Sequence, residues 1–122
     1  MALTKLIPNI FYADLTVGRA LFEQGLGFAL RYEELGGAQP FCILGKDAVE
    51  LHLVENAALA ALDRPQIRLE TDDIHALFAE VQRAAPGLLH PNGNRVTQKP
   101  WGLLEFALLD ASQVCVIVQQ PA

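Results

Sequence analysis

The stretch that decides the fold is residues 66–81, QIRLETDDIHALFAEV. Its first five residues alternate polar and apolar side chains, which predicts a half-buried strand. Asp72 or Asp73 then offers an N-cap, and a helix can run from there to the breaker pair Pro86-Gly87. The apolar residues of that segment recur at helical spacing: Ile74, Leu77, Phe78 and Val81. The stretch therefore predicts a strand followed by an amphipathic helix.

Three strands or strand fragments are predicted downstream of this helix. The first consists of two fragments, 88–90 and 95–98, which Pro91-Asn92-Gly93 separates. The second covers 103–109 and the third 114–119. The same order is predicted upstream, with a strand at 6–12, a helix at 16–24 after Asp14, and strands at 28–33, 41–44 and 48–54. The order βαβββ thus occurs twice.

The 122 residues are predicted to form one domain of two modules, at about 5–55 and 65–120. The triplet Ala-Leu-Phe at 20–22 recurs at 76–78, each time after the Asp that begins the helix. A repeat at half the chain length indicates two like modules that pair their sheets, because neither could bury one sheet face alone. The predicted fold class is α+β.

Composition excludes several classes of function. Hydrophobic residues make up 52% and the net charge is -5, so the chain is expected to fold and its field to repel nucleic acid. No apolar run approaches the roughly 20 residues that span a bilayer, so no membrane insertion is expected. Cys42 and Cys115 lie in apolar runs and no export signal precedes them. These features predict a cytoplasmic protein with reduced thiols, the alternative being one disulfide in a secreted protein.

Four segments together resemble the vicinal oxygen chelate superfamily, which includes glyoxalase I, extradiol dioxygenases and the bleomycin resistance proteins. They are IPNIFYAD at 7–14, ALFEQGLGF at 20–28, IRLETDDIHALFAEV at 67–81 and PWGLLEFALLDASQ at 100–113. The chain is most similar to the bleomycin resistance branch, through Pro8-Asn9, Gly27-Phe28 and Trp101-Gly102. One departure is the turn at 110–113, where the family's Asp-Pro-Asp-Gly is replaced by Asp-Ala-Ser-Gln. That turn must use another geometry.

The resemblance implies two curved, mixed sheets that form a cup, with the helices outside and the ligand on the concave face. Strand alternation agrees with this arrangement, because one side chain in two would face the cup. The residues predicted to face it are Glu50, His52 and Val54, then Gln66, Arg68 and Glu70, then Cys115, Ile117 and Gln119. The residues between them would face the helices.

A metal site is not expected. The resemblance places the four ligand positions of the metal-using relatives on Ile7, Glu50, Gln66 and Ile117, and an isoleucine offers no donor atom. His52, which shares a strand face with Glu50, leaves open a metal-dependent enzyme of the superfamily, a glyoxalase-like lyase or a dioxygenase. No nucleophile motif is present, so no catalytic residue and no cofactor are predicted.

Two aromatic residues have two possible roles each. Trp101 and Phe41 each follow a proline, and each could pack at its own hairpin. In the bleomycin resistance proteins, aromatic side chains at these places stack on flat ligand groups in a groove shared by two subunits. Glu50, Glu70 and Glu105 would draw a basic ligand to such a groove, or are ordinary solvated surface.

The main prediction is a metal-free homodimer of the bleomycin-resistance type that binds a flat, cationic small molecule, such as a basic antibiotic, and so confers resistance by sequestration. The metal-dependent enzyme and a non-catalytic regulatory or interaction module are the alternatives. The residues predicted to bind the ligand are Asn9, Phe41, Glu50, His52, Gln66, Arg68, Trp101 and Glu105.

Overall fold

The computed structural model describes residues 1–2, 4–62 and 64–122. The first module contains β1 (Asn9–Tyr12), α1 (Leu15–Arg19), β2 (Ala29–Glu34), β3 (Phe41–Lys46) and β4 (Val49–Glu55). A short helix, α2 (Ala57–Ala60), follows, and the second module contains β5 (Gln66–Glu70), α3 (Ile74–Ala84), β6 (Thr97–Gln98), β7 (Leu103–Leu109) and β8 (Cys115–Pro121).

Each module forms one four-stranded mixed sheet. The strand order is β1-β4-β3-β2 in the first sheet and β5-β8-β7-β6 in the second. In both sheets the module's first and last strands pair in parallel and the remaining pairs are antiparallel. The two sheets therefore have the same topology, and the predicted α+β fold of two βαβββ modules is confirmed.

The helices begin where the sequence predicts. Asp14 caps α1 by accepting a hydrogen bond from the Thr16 N–H at 2.9 Å, and Asp73 caps α3 by accepting from the Ala76 N–H at 3.1 Å. Such caps satisfy amide groups that have no partner within the helix. After α1 the chain continues as a π-helix, Ala20–Gly25, and Gly27 at φ 75° then turns it into β2.

Two predicted strands differ from the structure, and a proline is the reason in both. The strand predicted at 6–12 begins only at Asn9, since Pro8 has no N–H for a sheet ladder. The strand predicted at 88–90 is a 3₁₀ turn, Pro86–Leu88, followed by a single bridge between Leu89 and Leu108. Pro86 opens this turn because its fixed φ suits a first helical position.

One hydrophobic core lies against the helix-covered faces of both sheets. Tyr12, Phe22 and Leu53 of the first module and Phe106 and Val116 of the second are fully or almost fully buried in it. Each sheet thus has one face in the core and one open face. Among the described residues, no hydrogen bond or ion pair joins one open face to the other.

Candidate functional site

The open face of the first sheet is partly apolar. In β4, Leu51 and Leu53 are fully buried, whereas Glu50, His52 and Val54 are only half-buried, which follows the predicted alternation. The sheet register defines the neighbours of these side chains: His52 lies between Asn9 and Ile43, and Val54 between Phe11 and Phe41. We call this surface the first open face.

Phe41 lies on the first open face beside a second aromatic ring. Its ring centroid is 5.8 Å from that of Tyr32, at an interplanar angle of 40°. Tyr32 is half exposed and Phe41 is half-buried. Phe41 therefore belongs to an aromatic pair that is accessible from the open side of the sheet, although part of its surface is used by the pair itself.

Glu50 is neutralised by two cations. Its Oε2 lies 3.4 Å from Lys5 Nζ and its Oε1 lies 3.3 Å from Arg31 Nη1. Loss of solvent would raise the pKa of Glu50, but the hydrogen bonds and charges of Lys5 and Arg31 hold it below its ordinary value. The carboxylate is therefore ionised and already paired.

The open face of the second sheet, our second open face, consists of polar side chains over a fully buried layer. Val116 and Val118 of β8 are in the core, and Cys115 and Gln119, which flank this pair in the strand, are partly exposed. Gln66, Arg68 and Glu70 of β5 are exposed, as the alternation predicts. Ile117 was also predicted to face the cup, but unlike its polar neighbours it is largely buried, at 9% exposure.

Glu105 of β7 is the centre of a hydrogen-bond network on this second face. It is only 7% exposed and accepts from Trp101 Nε1 at 2.8 Å and from Arg68 Nη1 at 3.1 Å. Arg68 also donates to Gln119 Oε1 at 3.0 Å. Burial would raise the pKa of Glu105, but Trp101, Arg68 and the charge of Lys99 hold it below its ordinary value.

Trp101 exposes its ring while its nitrogen is held. The side chain is 62% exposed, and the indole N–H donates to Glu105. An exposed indole of fixed orientation offers a flat surface at little entropic cost, which favours the stacking role over packing within its own hairpin.

The carboxylates that the sequence predicts as a cation-attracting set do not form a free negative surface. Glu50 forms ion pairs with Lys5 and Arg31, and Glu105 forms one with Arg68. Glu70 has a neutral partner, because it accepts a hydrogen bond from the Gln119 amide. These pairings remove part of the negative charge on which the prediction of a cationic ligand depends, because a paired carboxylate must lose its partner before it binds another cation.

A cavity of about 180 Å³ opens on the second open face. The segment 90–99 forms its rim, with His90, Arg95 and Lys99 among the lining residues, and Ala107 and Ile117 contribute to its floor. None of the three rim residues was selected as a site residue from the sequence. The signal available there was a polar, basic stretch, HPNGNRVTQK, next to a strand that faces the cup.

The four positions expected to correspond to metal ligands offer a poor donor set. Ile7 and Ile117 have no donor atom, Gln66 is a neutral amide, and Glu50 is engaged with two cations. Across residues 1–2, 4–62 and 64–122, no three His, Cys, Asp or Glu side chains are placed to hold a metal ion. No observation here favours the metal-dependent enzyme.

Both cysteines are free thiols. Cys42 is buried and Cys115 is half-buried, and burial raises the pKa of both. Cys42 and Cys115 form no disulfide in the structure. In the described part of the chain, the helices are too short or too polar to cross a membrane.

Comparison with known proteins identifies the fold. No protein-family model and no curated protein sequence matches the chain. A solved bleomycin-binding protein in complex with bleomycin is similar, with a TM-score of 0.78 and 18% identity over 98% of this chain and 100% of that one. The bleomycin-binding protein of Streptomyces verticillus in complex with copper(II)-bleomycin has a TM-score of 0.76 and 21% identity over 100% and 99%.

A third similar structure is TnmS3, an antibiotic-binding protein from Streptomyces sp. CB03234, with a TM-score of 0.73 and 18% identity over 100% of this chain and 99% of that one. All three matches extend over essentially the full length of both chains. The chain therefore has the fold of the bleomycin-binding proteins, as the sequence resemblance implied.

Proposed function

We propose that this protein binds a flat small molecule, of the kind that includes antibiotics, without transforming it. The observation that carries the proposal is Trp101: its ring is exposed on an open sheet face while Glu105 fixes its nitrogen. Three proteins of the same fold are described as binding bleomycin or an antibiotic. Site chemistry and fold analogy support the same function.

We further propose that two copies of the chain build the binding groove. No hydrogen bond or ion pair of the described residues joins the two open faces of one chain, and a ligand between aromatic surfaces would lie between the first open face of one copy and the second open face of another. Such a groove would bring Phe41, His52 and Asn9 of one subunit towards the partner's Trp101. The half-exposed side chain of Tyr32 in β2, which lies opposite Ile43, would gain cover.

Sequestration is supported by the state of two carboxylates of the predicted site. Glu50 and Glu105 are both paired, so neither is free to act as a general base. The free thiols of Cys42 and Cys115 suit the reducing cytoplasm in which we place the protein. The charge of the ligand stays a prediction, since Glu50 and Glu105 are paired with cations whereas Glu70 has only a neutral partner.

The experiment is a calorimetric titration of bleomycin and a panel of flat aromatic compounds into the wild type, Trp101→Ala and Phe41→Ala. Each exposed ring contributes roughly 1 kcal/mol beyond buried area, so we expect Trp101→Ala to weaken binding about fivefold or more. Leu62→Ala is the control, since Leu62 is 80% exposed between the modules and lies on neither open face.

Sedimentation of the same samples tests the shared groove, with a dimer at micromolar concentration as the expected species. If no compound of the panel binds, or if Trp101→Ala binds as well as Leu62→Ala, the proposed function is wrong. A monomer that binds with full affinity would reject the shared groove alone.

A further inference from the structure

The cavity on the second open face has a fixed rim. The His90 N–H donates to the Ala107 carbonyl at 2.9 Å, and the Ala107 N–H donates to the Gly93 carbonyl at 2.9 Å. A Cβ on Gly93 would lie 2.9 Å from the Ala107 methyl carbon, so glycine permits this close approach. These bonds attach the start of the 90–99 segment to β7, and the cavity is therefore largely preformed.

Two cations line this cavity without a partner. Arg68, Lys5 and Arg31 each form an ion pair, whereas the side chains of Arg95 and Lys99 form no hydrogen bond or ion pair with any described residue. Two unpaired positive charges that line the same open cavity repel each other, and an anion bound between them relieves that repulsion.

The one carboxylate in the lining does not serve these cations. Glu105 accepts hydrogen bonds from Trp101 and Arg68, and Lys99 influences it only through its charge. Glu105 is thus largely compensated by Arg68. The rest of the cavity retains the positive charges of Arg95 and Lys99.

The remaining lining also favours a hydrogen-bond acceptor. Nδ1 of His90 accepts from the Asn92 N–H at 3.0 Å, so the ring proton is on Nε2, which is a donor. The floor includes Ala107 and Ile117, and an apolar floor strengthens charged hydrogen bonds beside it.

We infer that this cavity is a subsite for an oxyanion group, a carboxylate or a sulfonate, of the ligand whose flat part stacks on Trp101. Arg95 and Lys99 supply the charge and His90 a neutral donor. Glu105 connects the two parts of the site, because it lines the cavity and also holds the Trp101 nitrogen at 2.8 Å. The volume of about 180 Å³ is below the roughly 300–1,000 Å³ of a complete ligand site, as expected for a subsite.

This inference rests on the proposed function, and the test separates the two. The probes are naphthalenesulfonate and the neutral naphthalenesulfonamide, which share the ring and differ in charge. We expect the wild type to bind the sulfonate about 10-fold more tightly, as charge-assisted hydrogen bonds are about twice as strong as neutral ones. The preference should decrease with added salt.

Two variants test the residues. Arg95→Gln with Lys99→Gln should lose most of the sulfonate preference and reduce sulfonamide affinity far less, and Arg95→Gln alone should give an intermediate result. Arg83→Gln is the matched control for Arg95→Gln, because Arg83 is an exposed residue of the last turn of α3 and both single changes remove one positive charge.

Equal affinity of the wild type for both probes would overturn the subsite and leave the proposed function standing. A sulfonate preference that survives in the double variant would likewise overturn the subsite and not the proposed function. If neither probe binds and no compound of the bleomycin panel binds, both proposals are overturned. The circular dichroism spectra of the variants should match the wild type, since Arg95 is exposed and only backbone groups of Lys99 are bonded.

Discussion

Replacing Glu105 with Gln should destabilise the protein at neutral pH by about 1–2 kcal/mol. The carboxylate receives one hydrogen bond from Trp101 at 2.8 Å and one from Arg68 at 3.1 Å. A bond to a charged group contributes about 1.5–3 kcal/mol and a neutral one about 1 kcal/mol. Arg68 is 47% exposed, so water screens its ion pair with Glu105. The loss in stability therefore lies at the low end of the difference between charged and neutral hydrogen bonds.

The effect should depend on pH in a defined direction. The pKa of Glu105 is lower in the folded chain than its ordinary 4.5, so the unfolded chain binds its proton more readily. The stability from this carboxylate is therefore fully present above pH 4.5 and is lost as the pH falls through the lowered folded value. The variant has no such group, so its deficit against the wild type should shrink over that window.

The assay is urea denaturation followed by far-ultraviolet circular dichroism, at neutral pH and below the lowered pKa. Glu80→Gln is the control, since Glu80 is exposed on α3, has no described bonding partner, and its change removes the same charge. A Glu105→Gln variant as stable as Glu80→Gln at neutral pH would refute the reasoning. So would a deficit of constant size at both pH values.

Three further substitutions test the contact between the two modules at Tyr12 and the turn at residues 110–113. Tyr12→Phe should cost about 1.5–3 kcal/mol in urea denaturation, because the buried Asp110 loses the donor held at 2.6 Å; a loss below that of an exposed Tyr32→Phe would contradict this. Gly18→Ala should lower the melting temperature through a loss of about 1–3 kcal/mol, since the new methyl would overlap the Tyr12 ring; an unchanged melting temperature would refute it. Gln113→Gly should raise stability by up to about 1 kcal/mol, because Gln113 is at φ 68°, and a loss of stability would count against that strain.

The parts of the fold that depend on local spacing could be predicted from the sequence. The sequence placed Asp14 just before the first helix and offered Asp72 or Asp73 as the cap of the second, because a cap needs only its own side chain and the next few amide groups. In the structure Asp14 and Asp73 are the caps. Leu51 and Leu53 were assigned to the helix-covered face from strand alternation within the cup that the resemblance implies, and both are fully buried. Such features require no knowledge of which strands pair.

The electrostatics of the open faces could not be predicted in this way. Glu50 is neutralised by Lys5 and Arg31, residues 45 and 19 positions away, and Glu105 by Arg68, 37 positions away. These pairs exist because the sheet register brings distant strands together, and no local pattern specifies that register. The cavity rim at 90–99 was missed for the same reason, since it lies on β7 only through long-range backbone bonds.

The turn at 110–113 shows how a departure from the family pattern is accommodated. Asp110 accepts hydrogen bonds from the Ser112 and Val114 N–H groups at 2.9 and 3.1 Å, and Gln113 takes the left-handed conformation in which glycine is usual. The same carboxylate accepts from Tyr12. Burial raises the pKa of Asp110, and these three bonds oppose the shift. One side chain thus closes the turn and connects the modules.

The charge of the whole chain and the charge at the inferred subsite have opposite signs. The net charge of -5 slows the approach of an anion over long distances, but at 0.1 M salt that field is screened beyond about 10 Å. Equilibrium selectivity is decided within that distance, where Arg95 and Lys99 lie unpaired beside the cavity and Glu105 is compensated. Composition therefore indicates how readily a charged ligand arrives, whereas the paired and unpaired groups of the cavity determine which ligand remains bound.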